Sequence, residues 1–224
     1  QRQMCIRDSN WGLADSIIDG VTRIINESGC VIVLEDDIVT SQGFLKYMNE
    51  ALEFYQSNEN VMHVSAYMFP VEGELPSTFF YNTGSCWGWG TWQRAWRHFE
   101  ADSDRLIASI EKQGRWDEFN IESTYSFEKQ LRDNAAGSLR SWAVKWYASF
   151  FLRGGHALHP YPSLVNNIGH DGAGENCGSS RIYDWDRLAT NINLKEISIE
   201  ESISARAKMR EFNIRLSTGF SNKR

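Results

Sequence analysis

The stretch CVIVLEDD, residues 30–37, decides the fold. Its apolar half, Cys30 to Leu34, is short and rich in β-branched residues, the pattern of a buried strand. Just upstream, Leu13, Ala14, Ile17, Ile18, Val21, Ile24 and Ile25 recur at helical spacing, and residues 26–29 close that helix. Helix followed by buried strand predicts a crossover unit of an α/β protein. Downstream, Phe44, Leu45, Met48, Leu52 and Tyr55 mark a second amphipathic helix, and residues 61–67 a second strand. An extended piece follows at 78–82, then a glycine- and tryptophan-rich turn at 84–90 that leads into a helix through Trp92 and Trp96. Helices are expected at 102–112, 125–135 and 142–153, and strand with loop at 157–176.

A chain of 224 residues is long enough to bury one large core. The formal net charge of −6 argues against a nucleic-acid binder, because phosphate-backbone affinity needs clustered Lys and Arg. The four cysteines form no CxxC pair, which favours neither a zinc site nor a disulfide framework and fits a reducing, cytoplasmic setting. No apolar run is long enough to span a membrane. Residues 206–224 carry six Lys or Arg against one Glu. They read as a solvated tail, the alternative being peripheral contact with an anionic membrane.

Three consecutive acids at a strand end, Glu35, Asp36 and Asp37, repel one another unless a cation holds them. In open α/β sheets ligands bind beyond the carboxyl ends of strands. Mg²⁺ or Mn²⁺ takes one or two carboxylates there and completes its octahedron with water and substrate phosphates. A solvated acidic turn is the alternative. Nine tryptophans are also more than a core of this size ordinarily uses. Trp89, Trp92 and Trp96 have the i, i+3, i+7 spacing of a buried helix face. Trp87 and Trp89 flank a glycine in SCWGWG, where the backbone can present rings to a sugar.

Four segments carry a family resemblance: NWGLA from Asn10, VIVLEDDIVTSQGFLKYMNEAL from Val31, SCWGWGTWQRAW from Ser85 and SWAVKWYASFFL from Ser141. In this order they resemble bacterial glycosyltransferases of the GT-A type, family 2-like enzymes of surface-polysaccharide synthesis. More distantly they are similar to N-acetylglucosaminyltransferases with an EDD motif. The resemblance implies a nucleotide-sugar-binding α/β/α sandwich with a mostly parallel sheet. A donor-binding half would span 10–82, an acceptor-side half 83–180 and a C-terminal tail 181–224. It implies transfer, with inversion, from a UDP- or GDP-sugar to a carbohydrate acceptor. Asp37 matches the metal ligand, and Glu35 and Asp36 match acids facing the donor's sugar and ribose. Asn10 and Gly12 match a loop beside the nucleotide, although Asn is also a good helix cap. Trp87 and Trp89 are assigned to the acceptor.

Relatives place the catalytic Asp directly after a Trp, where this chain has Trp142-Ala143. The replacement expected is Asp171, in NNIGHDGAGENC, with Glu100 and Asp102 behind it; a surface turn is the alternative reading of that loop. His63, His98, His156 and His159 show no ligand spacing and are read as structural. Residues 1–9, QRQMCIRDS, lack periodicity and are expected to be non-native, with the family's opening strand missing before Asn10. Two other classes stay open, a metal-assisted hydrolase and a sugar-binding module without catalysis. The first lacks a second ligand set for a two-metal site. The second gives no reason for the acids, and metal-dependent nucleotide binding would discriminate against both.

Overall fold

A computed structural model describes residues 12–169 and 181–218. The first unit is as the periodicity predicts. Helix α1 (Leu13–Ser28) buries Val21 and Ile25, and Gly29, in the left-handed conformation at φ 77°, ends the helix and reverses the chain into β1 (Cys30–Val33). After the acids come a short strand β2 (Ile38–Thr40), helix α2 (Phe44–Phe54), then β3 (Val61–Ser65) and β4 (Thr78–Tyr81). Strand β5 (Trp89–Trp92), helices α3 (Gln93–Trp96), α4 (Ser103–Gln113), α5 (Trp116–Phe119), α6 (Phe127–Ala135) and α7 (Ala143–Phe151) follow. Strands β6 (His156–Pro160) and β7 (Val165–Asn167) and helix α8 (Ile203–Ser217) complete the described chain.

The main sheet has five strands in the order β1-β5-β3-β6-β4. The mostly parallel sheet expected from the crossover pattern is corrected here: β3 and β6 pair in parallel, and the other three pairings are antiparallel. The cause is β5. The segment expected to be a turn and helix returns as a strand and inserts between β1 and β3, antiparallel to both. Gly90 makes that insertion fit, since a Cβ there would meet Val31 O at 3.0 Å and Met48 Cε at 3.1 Å. β1 consequently lies at the sheet edge, half-buried. Residues from both sides of the expected boundary near Asn82 share this one sheet.

Alternation along the strands sorts side chains onto two faces. Met62, Trp89 and Ala157 pack with α1, α4, α6 and α7 on one face. Val61, Val64, Trp92 and Leu158 pack with Phe44, Met48 and Leu52 of α2 on the other. The result is an α/β/α arrangement. Trp92 and Trp96 are core, as the spacing suggested, but Trp89 and Trp92 reach opposite faces of a strand instead of sharing one face of a helix.

The basic stretch read as a solvated tail is a docked helix over α8. Ala205, Met209 and Phe212 are buried against β4 and the segment after β3. Arg206, 14% exposed, pairs with Glu122 at 2.7 Å and Glu201 at 3.0 Å and donates to Glu118 O at 2.9 Å. Arg210 pairs with Glu122, Arg215 with Glu72, and Lys208 donates to Glu72 O. Four of the six basic residues are thus engaged within the protein, while Lys223 and Arg224 lie outside the described residues. Among the described residues no helix is long and apolar enough to cross a membrane.

Candidate active site

The acids follow β1 directly. Ile38 N donates to Glu35 O at 3.2 Å, closing a tight turn that carries Glu35, Asp36 and Asp37. β2 then pairs antiparallel with β7, Ile38 opposite Asn167, so residues 167–169 lie against the acids. Ile168 N donates to Asp37 O at 2.9 Å, and Gly169 N to Asn167 Oδ1 at 2.7 Å. Glycine at 169 leaves the Asp37 carboxylate where it is. A Cβ there would collide with Asp37 Oδ2 and come within 3.1 Å of Asn167 Oδ1.

Asp37 Oδ1 is buried and has no hydrogen-bond partner among the described residues. A carboxylate oxygen removed from water without a donor is costly, so the position favours a bound cation. Glu35 reports the same field. Burial first, and then the negative charges of Asp37 and Asp36, push its carboxyl up to about 7. Asp36 is exposed. Among the described residues no group of three or more His, Cys, Asp or Glu side chains is arranged to hold a metal. Mg²⁺ or Mn²⁺ ordinarily demands only one or two protein carboxylates where substrate oxygens and water complete its shell. The donor set, hard oxygens with one unpartnered atom, fits such an ion.

The second component is residues 84–88. Gly88, at φ 66°, accepts from Ala66 N at 2.8 Å and lies so close to Leu34 and Phe44 that a Cβ would meet both at 3.3 Å. This segment therefore packs against the start of the acidic turn. Its other side, with Trp87, lines a cavity of about 310 Å³. Trp87 stands edge-to-face with Tyr67 at 4.5 Å and with Tyr183 at 5.8 Å. Trp89 is a correction to the acceptor assignment. It is fully buried beneath the cavity region, stacked on His63 at 5.4 Å and Trp142 at 5.0 Å, and presents nothing to a ligand.

The remaining residues sort as follows. Gly12 is the N-cap of α1. Asn10 and Asp171 lie outside the described residues. Asp102 caps α4, its carboxylate accepting from Asp104 N at 2.9 Å and Arg105 N at 3.2 Å. Glu100 accepts from Asp102 N at 2.9 Å. Both alternates for the base thus serve the start of a helix. Ala143 opens α7 and lines the cavity.

Sequence reasoning missed a buried polar network beneath residues 84–85. Trp146 Nε1 donates to His63 Nδ1 at 3.1 Å, and His63 Nε2 lies 3.1 Å from Ser65 Oγ. Ser85 N donates to the same hydroxyl at 3.3 Å. His159 Nε2 lies 2.8 Å from Thr83 O. Burial first, and then mutual repulsion, holds His63 down to about 3, and burial holds His159 down to about 4. Only the pairing of β3 with β6 brings the two together, and no spacing signals it.

These histidines make the fold acid-labile. Each folded-state value lies below the ordinary 6.5, so the unfolded chain binds more protons, and the stabilisation present above pH 6.5 is lost as pH falls. From pH 7.5 to 5.5 the expected loss is on the order of 1 kcal/mol per histidine. Glu35, raised to about 7, acts in the opposite sense over the same interval. The measurement is therefore the urea midpoint at both pH values in Glu35→Gln protein, and equal midpoints would overturn the neutral buried pair.

No protein-family model matches the chain, and no curated protein matches it significantly.

Proposed function

We propose that this chain is a divalent-metal-dependent glycosyltransferase with a GT-A-like nucleotide-sugar-binding fold. In this reading it transfers a sugar from a UDP- or GDP-sugar to a carbohydrate acceptor in surface-polysaccharide synthesis. The observation that carries the reading is Asp37, whose buried Oδ1 lacks a partner among the described residues, in the turn after β1 beside two further acids. Asp37 would hold Mn²⁺ or Mg²⁺. When bound, the ion supplies Lewis-acid stabilisation of charge on the leaving nucleotide diphosphate. Glu35 and Asp36 orient the donor's sugar and ribose, with Gly12 and Asn10 at the nucleotide. Gly169 lets the backbone after β7 close over Asp37 without displacing its carboxylate.

The test is titration calorimetry of the chain with UDP- and GDP-sugars, with and without Mn²⁺. Binding that requires the metal supports the reading, and absence of nucleotide binding at every metal concentration overturns it. In an inverting displacement a base takes the proton of the attacking hydroxyl, and Asp171 is assigned that part. Asp171→Asn is expected to lower turnover by about 10²–10⁴-fold with donor affinity little changed. Steady-state rates beside calorimetric affinities check this, and near-normal turnover clears Asp171.

A further inference from the structure

We infer that the cavity behind Trp87 binds a neutral sugar ring, one free of phosphate, carboxylate and ammonium groups. Assigning it to the acceptor rests on the transferase reading; the binding itself does not.

The volume, about 310 Å³, lies at the small end of ligand pockets, which run from about 300 to 1,000 Å³. That is room for one ring and its substituents, and too little for a nucleotide sugar. One wall is aromatic: Trp87, Tyr67, Phe69 and Tyr183 pack edge-to-face at 4.5–6.0 Å between centroids. The facing wall brings Tyr125 and Phe127, 4.3 Å apart. Such surfaces suit the C–H faces of a pyranose.

Charge decides the class further. Among the described residues no Asp, Glu, Lys or Arg lines the cavity, and its histidine, His159, is held neutral by burial. An anion would find no cation among those residues, and burying it unpaired is costly. The polar side chains present are uncharged, chiefly Gln130 and Asn213, and amides both donate to and accept from hydroxyls. Asn213 Nδ2 already donates to Thr124 Oγ1 at 3.3 Å and Gln130 bonds Tyr125, but each amide keeps further donor and acceptor capacity that only a polar ligand would use.

The wall is also fixed in place before any ligand arrives. Ile121 lines the cavity at φ 53°, followed by Glu122 at 48° and Ser123 at 59°. Three consecutive left-handed non-glycine residues persist only where surroundings over-determine them. Here Arg206 and Arg210 hold Glu122, and Arg206 also holds Glu118 O.

Cys86 lines the same cavity and supplies a readout. The chain is treated with iodoacetamide alone and with methyl glucoside, methyl galactoside or methyl N-acetylglucosaminide. The Cys86 peptide is then quantified by mass spectrometry. At ten times the dissociation constant, an effective glycoside is expected to slow alkylation about tenfold by simple occupancy. Hexose phosphates, hexuronates and tetramethylammonium should not. Trp87→Ala and Gln130→Ala, checked for native near-UV dichroism, should remove the protection. Saturation-transfer NMR on the same glycosides gives a reading that does not depend on the thiol. No contact with any neutral glycoside by either method, or equal protection by the charged compounds, overturns the proposal. No metal or nucleotide is present, so failure of Mn²⁺-dependent nucleotide binding would count against the transferase reading and leave this result standing.

Discussion

Asp37→Ala is expected to abolish Mn²⁺-dependent binding of the nucleotide sugar, and transfer with it, while leaving the protein folded. The carboxylate sits in a turn after β1, half-buried, with one oxygen that nothing in the described protein satisfies. Its backbone is what holds the local structure: Asp37 O accepts from Ile168 N, and that bond survives the substitution. Removing a charged group with an unmet buried oxygen costs the fold little. Removing a metal ligand costs function several kcal/mol, or roughly two to three orders of magnitude in affinity for the metal–donor complex. Calorimetry with Mn²⁺ and donor reads the loss, and the thermal midpoint reads the fold. Undiminished metal-dependent binding in the variant would end the assignment. A collapsed midpoint would mean that the carboxylate has a structural partner among residues 170–180, which lie beyond those described.

Trp89→Ala should do the reverse, destroying stability by about 3–5 kcal/mol, the usual cost of emptying a buried aromatic site. Trp89 is completely buried and sits among His63, Trp96, Trp142 and Trp146, with centroids 5.0–6.4 Å away. Domains of this size are commonly stable by about 5–15 kcal/mol, so the loss removes a large share of the whole. Trp89→Phe should be milder, because it keeps a ring and discards an indole N–H that lacks a partner among the described residues. Urea denaturation of both variants beside Trp87→Ala is the check. A Trp89→Ala protein as stable as the parent would restore Trp89 to the ligand and refute the packing account.

The two predictions show where the sequence was legible. Residues 30–37 announced both the strand and the acids after it, because a short apolar run ending in like charges has few stable placements. Helical stretches near 103–113, 127–135 and 143–151 were likewise visible in the sequence, within a residue or two of their ends, whereas the capping role of Asp102 was not. The sequence misled at GWGTW. A spacing of three and then four suits a helix face, but over so few residues it also suits a strand with one large side chain on each face. What chose the strand was a slot between β1 and β3 and a glycine small enough to enter it, neither of which is local information. For the same reason nothing in residues 165–169 revealed their pairing with 38–40, although that pairing builds the floor beside Asp37. The basic residues of α8 read as solvated until Glu72, Glu122 and Glu201, distant in sequence, turned out to face them.

The Arg206 clamp also bears on the order in which the two parts of the site come into being. Emergence from the ribosome proceeds from the amino end, and contacts far apart in sequence wait for their later partner. The acidic turn needs partners up to residue 169, whereas the left-handed turn at 121–123 is held by a residue more than eighty positions further on. Until α8 emerges, that turn lacks its counter-charge, and the cavity lacks the wall supplied by Met209 and Asn213. The acidic turn after β1 is thus assembled during synthesis ahead of the cavity behind Trp87, and a nascent chain halted before residue 203 would possess the first without the second.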